Sequence, residues 1–420
     1  MSGIKKWPVS IVLVICFITN GYSQQDSLRE EAMVKNFYAA KHDSIYWFKS
    51  KESLNKATDW LLTMEASETF GVSMDKTHSD NIRAALLGNK TINEKFKVER
   101  DRQITGAVLS FIKLLQEGTV HFDYDLVSAP NDSVFVDQLI DWNVTEPVSQ
   151  TISKLECKDH DYLVLKKYLN DSIATLDSIK HKKLVLAMNY RRYLFFNRSA
   201  EYIVVNIPET EAYYYKSNFL KLKMRAVVGR KDKPTPTIAS YMTNIVTFPH
   251  WNVPHTIGVK EILPKVQWND NYLEQNSYDV INGRGKLVDE STVNWKSYNA
   301  NNFPYYFRQA TGPRNAMGVI KFNLQNPFDI FLHSTSSPAA FAKDLRFLSH
   351  GCIRLEKPLE LAKVLLPDKI DIKKLKIGKK NTVSETIRLP NKIPVFIIYQ
   401  PVTVVGDKVA FLQDSYGLIK

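Results

Sequence analysis

From about residue 26 to residue 180, apolar positions recur three or four apart, the spacing that gives a helix one apolar face. Leu54, Ala57, Thr58, Leu61, Leu62 and Glu65 keep this period, with Trp60 beside them. Ile104, Val108, Phe111, Ile112 and Leu115 repeat it and stop at Gly118, a residue suited to a helix C-terminus. Val134 to Leu139 and Tyr162 to Leu169 predict further helices. No repeat period and no low-complexity linker breaks the series.

The rhythm changes near residue 184. Leu184 to Asn189, Tyr202 to Ile207, Ala212 to Tyr215 and Met224 to Gly229 are short β-branched or aromatic runs between turn residues, which predicts an antiparallel sheet. Strand-like runs return at Gly318 to Phe322, Ile330 to Leu332, Val395 to Tyr399 and Val402 to Val405. Between these groups, residues 249–307 are rich in Asn, Pro, Trp and Tyr and lose the alternation. A long irregular stretch inside a domain is usually a lid or binding loop. Trp251, Trp268, Trp295, Tyr305 and Tyr306 supply rings that either cover a groove or fill a small core of the insertion's own. The pattern predicts an α+β chain, with a helical part at 24–183 and a mostly β part at 184–420 that holds a capping insertion at 249–307.

Composition adds a direction. With 44% apolar and 24% charged residues the chain is globular, and its formal net charge of +12 suits an anionic partner. Lys5 and Lys6, the apolar run Val9 to Ile18, and small residues at Gly21 and Ser23 have the layout of a secretory signal peptide over residues 1–23. An uncleaved anchor is the alternative. No later run is apolar enough to span a bilayer, so no stable membrane insertion is expected once the signal is removed. An exported chain without stacking motifs is a poor nucleic-acid binder. The basic run Lys373, Lys374, Lys376, Lys379 and Lys380 reads as a solvated face. Cys157 and Cys352, the cysteines that would remain, are too few for a disulfide framework. Cys157 has no chemical context around it, whereas Cys352 does.

That context is Ser349-His350-Gly351-Cys352-Ile353-Arg354, with Ile330-Phe331-Leu332-His333 upstream. Glycine lets backbone approach a substrate carbonyl, so the Gly351 and Cys352 amides are a candidate oxyanion hole. A thiol attacks as thiolate, and a neighbouring imidazole lowers its pKa; His350 and His333 are both candidates, His333 being held at the end of a strand-like run. In an extended segment Arg354 shares a face with Cys352 and suits a carboxylate. One cysteine and two histidines make a poor zinc set, and no metal or cofactor is expected.

Residues 333–355 resemble the signature of the L,D-transpeptidase (YkuD-like) catalytic domain: a His, a spacer, then Ser-His-Gly-Cys-x-Arg. Arg308 to Gly318, Val204 to Pro208, Val228-Gly229 with Thr235-Pro236, and Trp251 to Pro254 look like segments of the large periplasmic branch of that family. The helical region is similar to that branch's scaffold domain. The resemblance implies that Cys352 is the nucleophile and His333 the base, that the Ser349–Cys352 turn with His350 and Gly351 supplies the oxyanion site, that the Ser334 carbonyl orients the imidazole, and that Arg354 binds substrate. It implies an exported, periplasmic enzyme acting on peptidoglycan tetrapeptide stems. Such an enzyme releases D-Ala and forms 3–3 cross-links. An L,D-carboxypeptidase or hydrolase would use the same acyl-enzyme, and an inactive wall-binding scaffold would use none. Two departures stand out: Ser334 replaces the glycine that often follows the base, and the branch's peptidoglycan-binding domain has no counterpart before the first catalytic strand.

Overall fold

Several helices of this chain begin where a side-chain oxygen meets the first free amides. The computed structural model describes residues 24–74, 76–87, 94–128 and 132–420; the expected signal peptide lies outside the described residues. Ser50 accepts from the Ser53 amide at 3.1 Å, Asp159 from Tyr162 at 3.2 Å and Asp177 from Lys180 at 2.8 Å. The eight longer helices of the N-terminal half are α1 (Gln24–Ala40), α2 (Lys51–Glu65), α3 (Lys76–Leu87), α4 (Glu94–Glu117), α5 (Ser133–Ile140), α6 (Val148–Leu155), α7 (His160–Ser172) and α8 (Ser178–Asn197). Gly118, at φ +73°, follows α4 in the left-handed region that favours glycine.

Two compact units divide the chain. One holds the described residues up to Leu114 and those of Asn131–Leu155; the other holds those of Leu115–Pro130 and Glu156–Lys420. The first is helical around Phe37, Trp47, Trp60, Phe111 and Phe135, all fully buried. Its polar centre is Asp101, also fully buried. The Asp101 carboxylate accepts from the amides of Tyr46, Trp47 and Phe48 at 2.8, 2.7 and 3.0 Å, and from the Tyr38 hydroxyl. One charge thus satisfies three consecutive buried or half-buried amides and ties α4 to the segment after α1.

The second unit is built on a closed sheet. Its strands are β1 (Tyr124–Asp125), β2 (Glu201–Asn206), β3 (Glu211–Lys216), β4 (Phe219–Gly229) and β5 (Ile238–Thr247), then the insertion's β6 (Trp251–Asn252), β7 (Tyr278–Ile281), β8 (Leu287–Val288) and β9 (Tyr306–Gln309). They continue with β10 (Ile320–Leu324), β11 (Phe331–His333), β12 (Phe347–Ser349), β13 (Ile353–Leu355), β14 (Glu385–Ile398), β15 (Val402–Val405) and β16 (Lys408–Phe411). The main order is β5-β10-β11-β13-β4-β3-β2-β14, and β14 also pairs with β5, so the sheet closes on itself. Alternation sends Ile203, Val205, Phe322, Leu332, Ile353, Val395 and Ile397 into one core. Val204, Phe396 and Ile398 face the other way and pack with Tyr190, Tyr193 and Leu194 of α8.

The expected strand at Leu184 to Asn189 is instead the middle of α8. A short apolar run does not distinguish strand from buried helix by period alone. Here helix wins because α8 is apolar on two sides: Leu184, Ala187 and Met188 pack against Tyr162, Leu165 and Leu169 of α7, while Tyr190, Tyr193 and Leu194 cover the sheet. The expected boundary at 183/184 falls inside this helix.

Residues 249–307 are more regular than their sequence reads. β6 to β9 form a small sheet in the order β6-β9-β7-β8. Val253, Ile262, Leu263, Val266, Val280, Phe303 and Phe307 give it a core, against which Trp251, Trp295 and Tyr305 pack. Trp268 stands 93% exposed and Tyr306 46% exposed.

The Asp101 cluster sets a stability prediction. Asp101→Ala leaves three amides without their acceptor and is expected to cost about 3 kcal/mol or more, while Asp101→Asn costs less because one amide oxygen remains. Urea unfolding followed by tryptophan fluorescence measures it; equal midpoints for wild type and Asp101→Ala would refute it.

Candidate functional site

Three adjacent strands assemble the site. β10 and β11 run antiparallel with Lys321 opposite His333, and β11 and β13 run parallel with His333 beside Arg354. Paired residues share a face, so Lys321, His333 and Arg354 form one row across the sheet. The intervening Phe322, Leu332 and Ile353 point to the other face, into the core, and are fully buried. Cys352 precedes β13 by one residue, in the bend that leads into it.

The segment that delivers His333 is held by Asn326. Its Oδ1 accepts from the Phe328 and Ile330 amides, both at 3.0 Å, and its Nδ2 donates to the Ile330 carbonyl at 2.7 Å. Asp329 takes a positive φ of 54° in this turn. Its carbonyl oxygen then lies 3.5 Å from the Cys352 sulfur, which donates to it.

The nucleophile's turn is fixed from the other side. Ser349 ends β12 beside Gly229 of β4. Gly351 has φ +119°, a conformation L side chains rarely adopt, and a Cβ there would meet the Ile330 side chain at 3.2 Å. The Thr235 hydroxyl donates to the Gly351 carbonyl at 2.7 Å and accepts from the Gly229 amide at 2.8 Å. The Gly351 amide donates to Ser349 Oγ at 3.2 Å. Of the two amides expected to face a substrate carbonyl, Gly351's is therefore engaged. The Cys352 amide has no acceptor among the described residues.

His350 is engaged by the insertion. Its Nε2 lies 2.6 Å from Glu261 Oε1, on a π-turn (Gly258–Ile262) of the insertion. His333 is the histidine in the row, and it is 6% exposed. Its Nδ1 makes no hydrogen bond of ordinary geometry, although the Ser334 and Met317 backbones lie close enough to favour the protonated ring. Burial dominates, reinforced by the cations of Arg354 and Lys321, and pushes the imidazole down to about 3. Burial likewise pushes the Cys352 thiol up to about 11, against the Phe331 amide, Lys321 and Arg354, which favour the thiolate. Burial thus opposes the depressed thiol pKa expected of a nucleophile, and the hydrogen bond the sulfur makes goes to the Asp329 carbonyl.

Sequence reasoning missed four participants: Lys321, Glu261, Thr235 and the Asp329 carbonyl. Lys321 left a trace, as the polar position in the run Val319-Ile320-Lys321-Phe322, where alternation turns it away from the core. Glu261 and Thr235 reach the turn through tertiary contacts that no local pattern signals. Among the described residues, no three His, Cys, Asp or Glu side chains gather as a metal site, and no helix is long and apolar enough to cross a membrane.

Comparison with known proteins adds to this geometry. The profile of the L,D-transpeptidase catalytic domain, YkuD, matches residues 200–395, and that of the Scaffold domain matches residues 32–169. A Haemophilus influenzae protein, named as a candidate L,D-transpeptidase, is 35% identical over 235 residues, 55% of this chain and 47% of its own. The chain thus spans about half the length of that curated relative. Among solved structures, a cysteine-to-serine variant of Enterococcus faecium L,D-transpeptidase is 13% identical with a TM-score of 0.21, covering 48% of this chain and 51% of that one. L,D-transpeptidase from Mycobacterium smegmatis is 11% identical with a TM-score of 0.21, covering 47% and 58%.

Buried His333 predicts a pH effect. Its folded pKa lies below the ordinary histidine value, so the unfolded chain takes up a proton that the fold refuses. This share of stability is complete above about pH 6.5 and is lost as pH falls toward the folded value. At about pH 4.5 the loss from this one group is ~3 kcal/mol. His333→Gln should remove it, giving a shallower fall of melting temperature between neutral and acid pH. Parallel pH profiles for the two proteins would contradict the assignment.

Proposed function

The chain carries an L,D-transpeptidase catalytic domain, and from that premise we propose that it is a murein transpeptidase working through a cysteine acyl-enzyme. The observation that carries this reading is the register that sets His333 beside the strand Cys352 leads into, with the Cys352 amide free. The substrate is the tetrapeptide stem of peptidoglycan, and the attacked bond joins diaminopimelate to the terminal D-Ala.

Cys352 Sγ attacks the carbonyl carbon as its proton passes to His333. Negative charge moves to the carbonyl oxygen, where the Cys352 amide stabilises it. Collapse breaks the C–N bond, and His333 returns the proton to the departing D-Ala amine. A thioester remains. The side-chain amine of a second diaminopimelate then attacks it, losing a proton to His333, and collapse releases the 3–3 cross-linked product and the Cys352 thiol. Water in place of the amine would give the carboxypeptidase outcome. Arg354 is a substrate-binding residue in this scheme, and His350 shapes the turn. The net charge and the signal-like pattern of residues 1–23 support a periplasmic site of action on an anionic polymer.

The proposal is tested by mass spectrometry of products from diaminopimelate-containing tetrapeptide muropeptides. Cys352→Ala should abolish D-Ala release with the fold intact; retained release would overturn the nucleophile. His333→Ala should slow acylation by roughly 10²–10⁴-fold and His350→Ala by much less; the reverse ranking would exchange their roles.

The insertion gives a second prediction. Glu261 reaches His350 from the insertion, so we expect this contact to hold the insertion over the turn and keep water from the thioester. Glu261→Ala should spare D-Ala release yet raise the ratio of hydrolysed stems to cross-linked dimers. An unchanged ratio would remove the insertion from acceptor choice.

A further inference from the structure

The thiol is flanked by two cations that have no counter-ion. Lys321 on β10 and Arg354 on β13 are both in register with His333, one on each side, so the base lies between them in a single row. Lys321 is half-buried, its Nζ 3.9 Å from the centroid of the Phe331 ring, and burial pulls its pKa down. The Arg354 Nε is buried and has no acceptor. Among the described residues neither side chain makes an ion pair, and both feel the charge of Cys352. Asp329 is the carboxylate whose charge also reaches Lys321, and it does so without ion-pair contact.

Such an arrangement is unfavourable as it stands. A cation drawn out of water with no anion beside it is destabilising, and two of them in one row repel. Apolar packing of Phe322, Leu332 and Ile353 on the opposite face holds both in place. An anion entering the row would satisfy both, Arg354 with its planar fork and Lys321 as a point charge.

We propose that Lys321 is a specificity-determining residue that joins Arg354 in a two-cation clamp for a carboxylate next to the carbonyl attacked by Cys352. The clamp rests on register, burial and missing counter-ions; the identity of the anion rests on the transpeptidase reading. In a tetrapeptide stem, two carboxylates lie near that carbonyl: the terminal one of the leaving D-Ala, and the free one on the distal centre of diaminopimelate.

The clamp is tested first without peptidoglycan. Iodoacetate and iodoacetamide both alkylate a cysteine: the sulfur forms a bond to the CH₂ carbon, iodide leaves, and the thiol proton goes to the base. Only iodoacetate carries a carboxylate beside the reacting carbon. The rate ratio of the two reagents at Cys352, read by mass spectrometry of its peptide, cancels any change in thiolate fraction, which moves both alike. Cys157 is buried and its thiol is pushed up to about 12, which keeps it from competing. Relative to free cysteine, the folded chain should favour iodoacetate by about tenfold, corresponding to ~1.4 kcal/mol. Lys321→Met should erase most of that preference, Lys321→Arg should keep it, and salt should weaken it. A ratio equal to that of free cysteine, or one indifferent to Lys321→Met in a folded protein, overturns the clamp.

Three stems then name the carboxylate: the free acid, the D-Ala amide, and the stem amidated at the distal centre of diaminopimelate. The loss of kcat/KM caused by Lys321→Met should vanish on the stem whose recognised carboxylate is blocked. An equal loss on all three overturns carboxylate recognition. If the wild type releases no D-Ala from any stem, the transpeptidase reading fails, and the alkylation ratio still decides the clamp.

Discussion

The chemistry of this protein hangs on the parallel pairing of β11 with β13, in which Leu332 sits beside Ile353 and His333 beside Arg354. Parallel neighbours need a crossover, and here residues 334–352 make it, carrying the nucleophile's turn at their end. The pairing is only two residues deep. Its register therefore depends on what lies beneath it: Phe322, Leu332 and Ile353, fully buried in the core of the closed sheet. A slip of one residue would turn His333 inward and Leu332 outward, which the core forbids. Apolar packing on one face thus sets the catalytic geometry on the other. The same logic explains how the site tolerates two cations around an imidazole, since the side chains that fix the row carry no charge.

Burial that aligns the groups also changes their protonation. A thiol pushed up and an imidazole pushed down are two effects of one desolvation. The cations of Lys321 and Arg354 act oppositely on the two partners, favouring the thiolate and disfavouring the imidazolium. They therefore do not select the ion pair over the neutral pair by themselves. In the proposed reaction separated charge is stabilised as the substrate's carbonyl oxygen takes up the negative charge. Burial raises the thiols of both Cys157 and Cys352.

Much of this was legible in the sequence, for reasons that differ from residue to residue. The candidates His333 and Cys352 could be read because one ends a strand and the other leads into one, so a local motif carries both. The helices α2, α4, α5 and α7 could be read because each is amphipathic, and α4 stops at Gly118. The helix α8 could not, because it is buried on two sides and its apolar run imitates a strand. Lys321 was hidden by the opposite circumstance: a lysine in an alternating strand is the ordinary solvent-facing residue, and only the register with His333 gives it a role. The oxyanion turn was half legible. Glycine at 351 marked a special backbone, but the Ser349 hydroxyl that occupies its amide is a matter of rotamer.

Five rings in an irregular stretch read either as a cover for the groove or as a core of the insertion's own, and Trp251, Trp295 and Tyr305 pack against such a core, which includes Val280, Phe303 and Phe307. A segment with that core and its own four-stranded sheet keeps its shape from within. It does not need to order on a substrate. If it covers the thioester, it does so as a preformed body, and what fixes it to the catalytic turn is polar: Glu261 on its π-turn, bonded to His350. A π-turn adds a residue to a helical path and re-aims a side chain, which is how Glu261 is presented. The motif histidine that sequence reasoning weighed as a base is the point where the insertion engages the turn two residues from Cys352, which accords with the proposed assignment of proton transfer to His333.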